Sequence, residues 1–79
     1  MKITVYLSDT CHYCQSLKKW LEENGVEYME KNINEPQNVK ELVDNGIEAV
    51  PYTIIEDEKT LKRETFMGFD ELAFVQKLL

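Results

Sequence analysis

The chain has 79 residues, 43% of them hydrophobic, and a net charge of -6 at pH 7. This length suits one small domain, and the composition is that of a folded globular protein rather than a disordered one. The acidic balance argues against nucleic acid and anionic membranes as partners. We therefore expect a single domain over residues 1–79 that acts as a monomer, with no nucleic-acid or membrane partner.

The first third of the chain predicts a strand, a helix and a second strand. Residues 2–7 are rich in β-branched and aromatic side chains, as strands are. In the segment 12–24 the apolar side chains recur at helical spacing, at Cys14, Leu17, Trp20 and Leu21. Asn24-Gly25 is a typical helix C-cap, and residues 26–31 predict the second strand.

A second helix is predicted to begin at Asn34 as its N-cap. Pro36 would lie in its first turn, and Gln37 would complete a capping box. The helix would end at Asn45-Gly46. Its apolar residues, which we expect to face the core, are Val39, Leu42 and Val43.

The last part of the chain predicts two strands and a third helix. Residues 49–55 and 60–66 predict strands joined by the acidic turn 56–58, and Gly68 ends the second of them. Phe69-Asp70 opens the helix, with Asp70 as N-cap and Phe69 packed on Phe74 as a hydrophobic staple. Its expected inward residues are Leu72, Val75, Leu78 and Leu79.

The predicted order of elements is therefore βαβαββα, an α/β fold. A strand–helix–strand unit needs a right-handed crossover, so the first two strands should pair in parallel. The third and fourth strands should form an antiparallel hairpin. We expect a four-stranded mixed sheet with helices on both faces.

The chemistry-bearing residues are the chain's two cysteines, in the sequence Cys11-His12-Tyr13-Cys14 at the junction of the first strand and the first helix. Unpaired N–H groups and the helix dipole favour a thiolate there, so we expect Cys11 to be the reactive cysteine. Cys14 lies one turn further on, within reach for a disulfide. This pattern predicts thiol–disulfide exchange, with Cys11 as nucleophile and Cys14 as the resolving cysteine.

The cellular compartment is predicted from the same cysteines. A secreted disulfide scaffold would have more cysteines at wider spacing. Met1-Lys2 leads directly into the first strand, so no signal peptide is predicted, and no apolar run approaches the roughly 18 residues of a membrane span. We expect a cytoplasmic protein in a reducing environment.

Three stretches resemble the glutaredoxin family. Cys11-His12-Tyr13-Cys14 is similar to the family's active-site Cys-Pro-Tyr-Cys. Ala49-Val50-Pro51 resembles its Thr-Val-Pro segment, and the stretch 67–72 resembles its Gly-Gly-x-Asp-Asp/Glu-Leu segment. The resemblance covers essentially the whole chain and implies the thioredoxin-like fold and a dithiol oxidoreductase.

The resemblance also implies a substrate-binding surface around Cys11. Pro51 would be cis and would present the Val50 backbone to an extended substrate. Tyr13 would line the rim. Gly68, Phe69 and Asp70 would form the third side, where the family's aspartate binds the γ-glutamyl amine of glutathione. That role and helix capping can both hold for Asp70.

His12 replaces the family's usual proline. An imidazolium at this position would stabilise the Cys11 thiolate, but the helix dipole opposes a cation there. The alternative is that His12 is a solvated surface histidine without a role at Cys11.

Two departures bear on the reductant. Glutaredoxins that use glutathione usually have a lysine where this chain has Ser8, and Gly68-Phe69 is closer to the NrdH-type redoxins. Those relatives are reduced by thioredoxin reductase and supply electrons to ribonucleotide reductase. The expected partners are therefore a disulfide-containing protein, for which ribonucleotide reductase is one candidate, and either glutathione or a thioredoxin-reductase-type enzyme.

The alternative function is a metal or iron–sulfur carrier or scaffold that uses the same two cysteines. One C-x-x-C supplies two thiolates, whereas a closed structural zinc site needs four ligands, so a metal would require a dimer or an external thiol. We expect no bound metal and no bound cofactor, with glutathione entering only as a reductant.

Overall fold

The computed structural model describes all residues 1–79 and contains seven elements in the predicted order. The strands are β1 (Lys2–Leu7), β2 (Met29–Asn32), β3 (Tyr52–Glu56) and β4 (Arg63–Met67). The helices are α1 (His12–Glu23), α2 (Pro36–Asp44) and α3 (Glu71–Leu78).

The four strands form one mixed sheet in the order β2-β1-β3-β4. β1 pairs in parallel with β2 and antiparallel with β3, and β3 and β4 form an antiparallel hairpin. The register aligns Tyr6 with Tyr52 and Tyr52 with Met67. The end of β1, the start of β3 and the end of β4 therefore meet at one edge of the sheet. The predicted topology is confirmed.

Helices cover both faces of the sheet, as predicted. On one face α1 and α3 enclose the larger core, because alternate residues of a strand point to the same side. Its buried members are Ile3, Val5, Leu7, Cys14, Leu17, Trp20, Leu21, Ile55 and Phe74. On the other face α2 covers a smaller cluster of Tyr6, Leu42 and Ile54.

β2 begins later than the predicted strand over 26–31. The backbone N–H of Val26 donates to the carbonyl of Leu21 at 2.9 Å, and Gly25 has a φ of 66°. These residues close the C-terminus of α1 instead of extending the sheet. Pairing with β1 starts at Met29, opposite Thr4.

The hairpin strands are also shifted from their predicted bounds of 49–55 and 60–66. The Val50–Pro51 peptide bond is cis, as the resemblance implied, and β3 begins directly after it. At the turn, the carboxylate of Asp57 accepts from the N–H groups of Lys59 and Thr60, and Leu61 has a φ of 59°. β4 consequently starts only at Arg63.

The N-terminus of α2 differs from the prediction. Glu35 is the N-cap, without a side-chain cap bond, and Pro36 occupies the first turn as expected. Asn34 instead donates its amide to Asp9, and Gln37 donates to the Glu35 carboxylate rather than completing a capping box.

The buried face of α2 also differs. Leu42 is buried as predicted, but Val39 is 42% and Val43 is 72% exposed. Asn38 is buried in their place because its amide donates to the carbonyl of Asn32 at 2.8 Å.

α3 begins as predicted and then turns a different face to the core. Asp70 accepts from the N–H of Ala73 at 3.4 Å, and the rings of Phe69 and Phe74 lie 5.9 Å apart, which confirms the cap and the staple. Phe74 is fully buried, whereas the predicted inward residues Leu72, Val75 and Leu79 are exposed. Of the four predicted residues, only Leu78 packs against the larger core.

None of the three helices combines the length and apolarity needed to cross a membrane.

Thr53 places an unpaired polar group inside the protein, and removing that group should raise the stability of the fold. Its hydroxyl is fully buried on β3 and has no hydrogen-bond partner. Thr53→Val removes that unpaired group while keeping the β-branched shape, so we expect about 1 kcal/mol more stability. Urea unfolding of the reduced protein measures this.

The matched control is Thr65→Val on the exposed side of β4, which should stay within about 0.5 kcal/mol of the parent. A lower unfolding midpoint for Thr53→Val than for the parent would contradict the prediction, because it would mean that the hydroxyl makes a favourable contact.

Candidate active site

Cys11 lies at the edge of the sheet where β1 gives way to α1, as predicted. It is the N-cap residue of α1, and its sulfur accepts a hydrogen bond from the backbone N–H of Cys14 at 3.1 Å. A cap of this kind satisfies one of the unpaired donors of the first turn. The N–H therefore points at the atom that must carry negative charge when Cys11 attacks a disulfide.

Cys14 occupies a different environment although it lies only one turn away. It is fully buried within the larger core, whereas Cys11 is partly exposed, and both thiols are free. Burial, together with the hydrogen bond to the Cys11 sulfur, raises the pKa of the Cys14 thiol to about 12. One thiol can therefore meet a substrate while the other is held protonated behind it.

The segment Val50–Pro51 lies directly opposite Cys11. The Cys11 sulfur is 3.8 Å from the carbonyl oxygen of Val50, a weak S–H donor contact. Pro51 is buried, and its carbonyl accepts from the N–H of Gly68 at 2.7 Å. Gly68 has a φ of 84°, a conformation that favours glycine. These bonds join the segments predicted to bind substrate.

Phe69 and Asp70 form the third side of the site. Phe69 is half-buried and packs on Trp20 of α1, with ring centroids 6.4 Å apart, and on Phe74 of α3. Asp70 is exposed, and its carboxylate caps α3. The aromatic contacts fix the loop after β4 against the helix that begins with the active-site turn.

His12 and Tyr13 are exposed at the start of α1. Tyr13 is 65% exposed, and its ring meets that of His12 edge-on at 6.0 Å. The structure thus brings every predicted site residue to one end of the molecule. Their roles in binding a substrate stay predictions.

Ser8 holds the loop before Cys11 from within. Its hydroxyl accepts from the N–H of Thr10 at 3.3 Å and bonds to the Thr10 hydroxyl at 3.1 Å, and its carbonyl accepts from the N–H of Cys11. Only 9% of Ser8 is exposed. A side chain at this position is engaged with the loop rather than extended towards a ligand.

A second brace involves Asp9 and was not predicted from the sequence. Its two carboxylate oxygens each accept an amide hydrogen bond at 2.7 Å, one from Asn32 and one from Asn34. The sequence signal for it was three short polar residues that lie at or just after the ends of two parallel strands, which meet at the same edge of the sheet. This brace ties the active-site loop to the segment that leads into α2.

No group of three or more His, Cys, Asp or Glu side chains is placed to hold one ion. The carrier hypothesis therefore receives no third ligand from this chain.

Comparison with known proteins places these features in a family. The glutaredoxin family model matches residues 3–59. The glutaredoxin-like protein NrdH of Lactococcus lactis subsp. cremoris is 36% identical over 56 residues, which cover 70% of this chain and 78% of that protein.

Two solved structures share the fold. The glutaredoxin-like NrdH-redoxin from Escherichia coli, described as having a thioredoxin-like activity profile, superposes with a TM-score of 0.76 over 100% of this chain and 96% of its own, at 23% identity. A crystal structure of a thioredoxin-like protein gives 0.74 over 99% and 100% of the two chains, at 28% identity. The family match, the thioredoxin-like fold and the Cys11–Cys14 pair agree, and the chain belongs to the glutaredoxin family of thiol–disulfide oxidoreductases.

Proposed function

We propose that this protein reduces disulfides on a protein substrate and is itself re-reduced by a thioredoxin-reductase-type enzyme rather than by glutathione. The observation that carries the proposal is the contrast between the two sulfurs. Cys11 is partly exposed at the end of a helix, and Cys14 is buried one turn behind it. An accessible attacking thiol and a protected resolving thiol are what two-step disulfide exchange requires.

In the first step the Cys11 thiolate attacks one sulfur of the substrate disulfide. A bond forms between Cys11 and that sulfur, and the other substrate sulfur leaves as a thiolate and takes up a proton. Cys14 then loses its proton and attacks the Cys11 sulfur, which releases the second substrate thiol. Two electrons have passed to the substrate, and the protein is left with a Cys11–Cys14 disulfide.

The choice of reductant rests on Ser8. In glutathione-dependent glutaredoxins the resemblance places a lysine at this position, where it binds a glutathione carboxylate. Here the position is filled by a short, almost buried hydroxyl that holds the active-site loop. The next residue in the chain is Asp9, whose carboxylate would repel a carboxylate ligand. These features favour a reductase that contacts the protein surface.

The relatives support a candidate substrate and a candidate compartment. The similarity to NrdH of Lactococcus lactis supports ribonucleotide reductase as a candidate substrate, and it supports action in the cytoplasm. The exposed Tyr13 and the Val50 backbone would contact the substrate chain, and Gly68, Phe69 and Asp70 would contact it on the third side of Cys11.

Two cysteine variants test the mechanism. Cys11→Ser should lose at least about 1,000-fold in disulfide reduction, because the attacking sulfur is gone. Cys14→Ser should still attack and should accumulate a mixed disulfide with the substrate, which non-reducing mass spectrometry detects. Full activity of Cys11→Ser would rule the mechanism out, and Thr65→Val on the exposed side of β4 is the control that should behave as the parent.

The raised pKa of Cys14 predicts a loss of stability in alkali. The Cys14 thiol ionises at a pKa of 9.0 in the unfolded chain and of about 12 in the folded protein, so folding favours its protonated form. The stability that the protonated Cys14 thiol contributes is fully present below pH 9 and is lost as the pH rises from 9 towards 12. Between pH 8 and 10 the reduced parent should lose about 1 kcal/mol more than Cys14→Ser. Equal losses in denaturant titrations of the two proteins would contradict this.

A paired reduction assay tests the reductant. The oxidised protein is offered glutathione with its reductase in one reaction and a thioredoxin reductase in the other, and NADPH consumption is followed. We expect turnover only with thioredoxin reductase. Turnover with glutathione at a comparable rate would show that the cleft binds glutathione without a lysine at position 8.

A further inference from the structure

The surface around Cys11 is acidic and contains no lysine or arginine. We call this surface the rim and define it by three segments, residues 8–13, 47–52 and 67–72. The segments contain four carboxylates, Asp9, Glu48, Asp70 and Glu71, and none of the chain's nine Lys and Arg residues. All four carboxylates are exposed, and none takes part in an ion pair.

The three segments are held together by contacts already described. The Cys11 sulfur lies 3.8 Å from the Val50 carbonyl, and Pro51 accepts from Gly68 at 2.7 Å. Glu48 precedes Val50 by two residues, and Asp70 follows Gly68 by two. The carboxylates are thus spread over three segments around the reactive sulfur, and they are not gathered to hold an ion.

Most positive charges of the chain are paired with a glutamate or lie at the opposite edge of the sheet. Lys18, Lys19, Lys31 and Lys77 each lie within 4.0 Å of a glutamate. Of the unpaired cations, Lys40 lies on α2. The other four lie at the opposite edge of the sheet, at the start of β1, in the β3–β4 turn and at the start of β4. They are Lys2, Lys59, Lys62 and Arg63.

Distance and screening decide which charges act at the rim. β1 has six residues at about 3.3 Å each, so the opposite edge lies roughly 17–20 Å away. The Debye length at physiological ionic strength is about 8 Å. The cations at that edge are therefore screened from a partner that approaches Cys11, whereas the rim itself has four carboxylates and no lysine or arginine.

Apolar groups share the rim with these charges. Tyr13 and Met67 are 65% and 69% exposed, and Phe69 and Val50 are half-buried. A surface of this composition suits a protein partner. The apolar groups supply contact area once the partner is bound, and the carboxylates attract or repel the partner while it is still approaching.

We propose that the rim selects protein partners whose reactive disulfide or thiol is surrounded by basic residues. This inference rests on the proposed function, since it describes which molecules reach Cys11. Complementary charge accelerates encounter by factors of about 10 to 1,000 at low salt, and like charge slows it. Glutathione has more carboxylates than ammonium groups, so the same field disfavours it.

Three peptide probes separate charge selection from chemistry. Each carries one cysteine in mixed disulfide with thionitrobenzoate, flanked by lysines, by glutamates or by glycines. Release of thionitrobenzoate by the reduced protein measures the rate. At low ionic strength we expect the lysine probe to react about tenfold faster than the glutamate probe, and the ratio to approach one at 1 M salt, where the Debye length is about 3 Å.

Matched double variants locate the effect. Glu48→Gln with Glu71→Gln removes two rim charges, and the rate ratio should fall by about threefold. Glu27→Gln with Glu58→Gln removes the same charge from the opposite edge, where both residues line a surface concavity with Lys2, and the ratio should not change. Thermal melting checks that both proteins fold like the parent.

The outcomes distinguish the inference from the proposed function. If the glycine probe is not reduced by Cys11, the proposed function fails. If the glycine probe is reduced but the lysine and glutamate probes react equally fast, charge selection alone is overturned. An equal fall in the ratio for both double variants would also overturn it, because the effect would then follow total charge rather than the rim.

Discussion

Helix α1 turns Cys14, Leu17 and Leu21 onto the side of β1 that carries Val5 and Leu7, and all five side chains are almost completely buried. Because a helix repeats every 3.6 residues, the residue three positions before Cys14 lies one turn earlier on about the same face, at the start of the helix. That residue is Cys11, and the start of α1 coincides with the edge of the sheet where three loops meet. The different exposure of the two sulfurs thus follows from the packing of one helix face.

The same packing explains which parts of the fold the sequence could predict. The apolar residues of β1 and α1 are regular and belong to neighbouring elements, so local periodicity identifies both the elements and their buried faces. The Cys11 junction, the cap at Asp70 and the Phe69–Phe74 contact depend on residues close in the chain, and all three are confirmed.

The errors occur where distant residues decide. α2 and α3 have apolar side chains on more than one face, and periodicity alone cannot choose between the faces. In α2 the choice is made by Asn38, which bonds to a carbonyl of β2. In α3 it is made by Phe74, which fits between Trp20 of α1 and Phe66 of β4. The Asp9 brace was missed for the same reason, since it joins residues more than 20 positions apart.

Trp20, the only tryptophan of the chain, lies in the same buried cluster as Cys14 and packs against Phe69 from the rim. Its fluorescence therefore depends on the packing of the core, on the surroundings of the resolving cysteine and on the position of Phe69. Closing the Cys11–Cys14 disulfide or seating a partner on Phe69 should alter the emission of this single indole. The protein thus contains a built-in optical reporter, and stopped-flow fluorescence can follow its redox cycle without an attached dye.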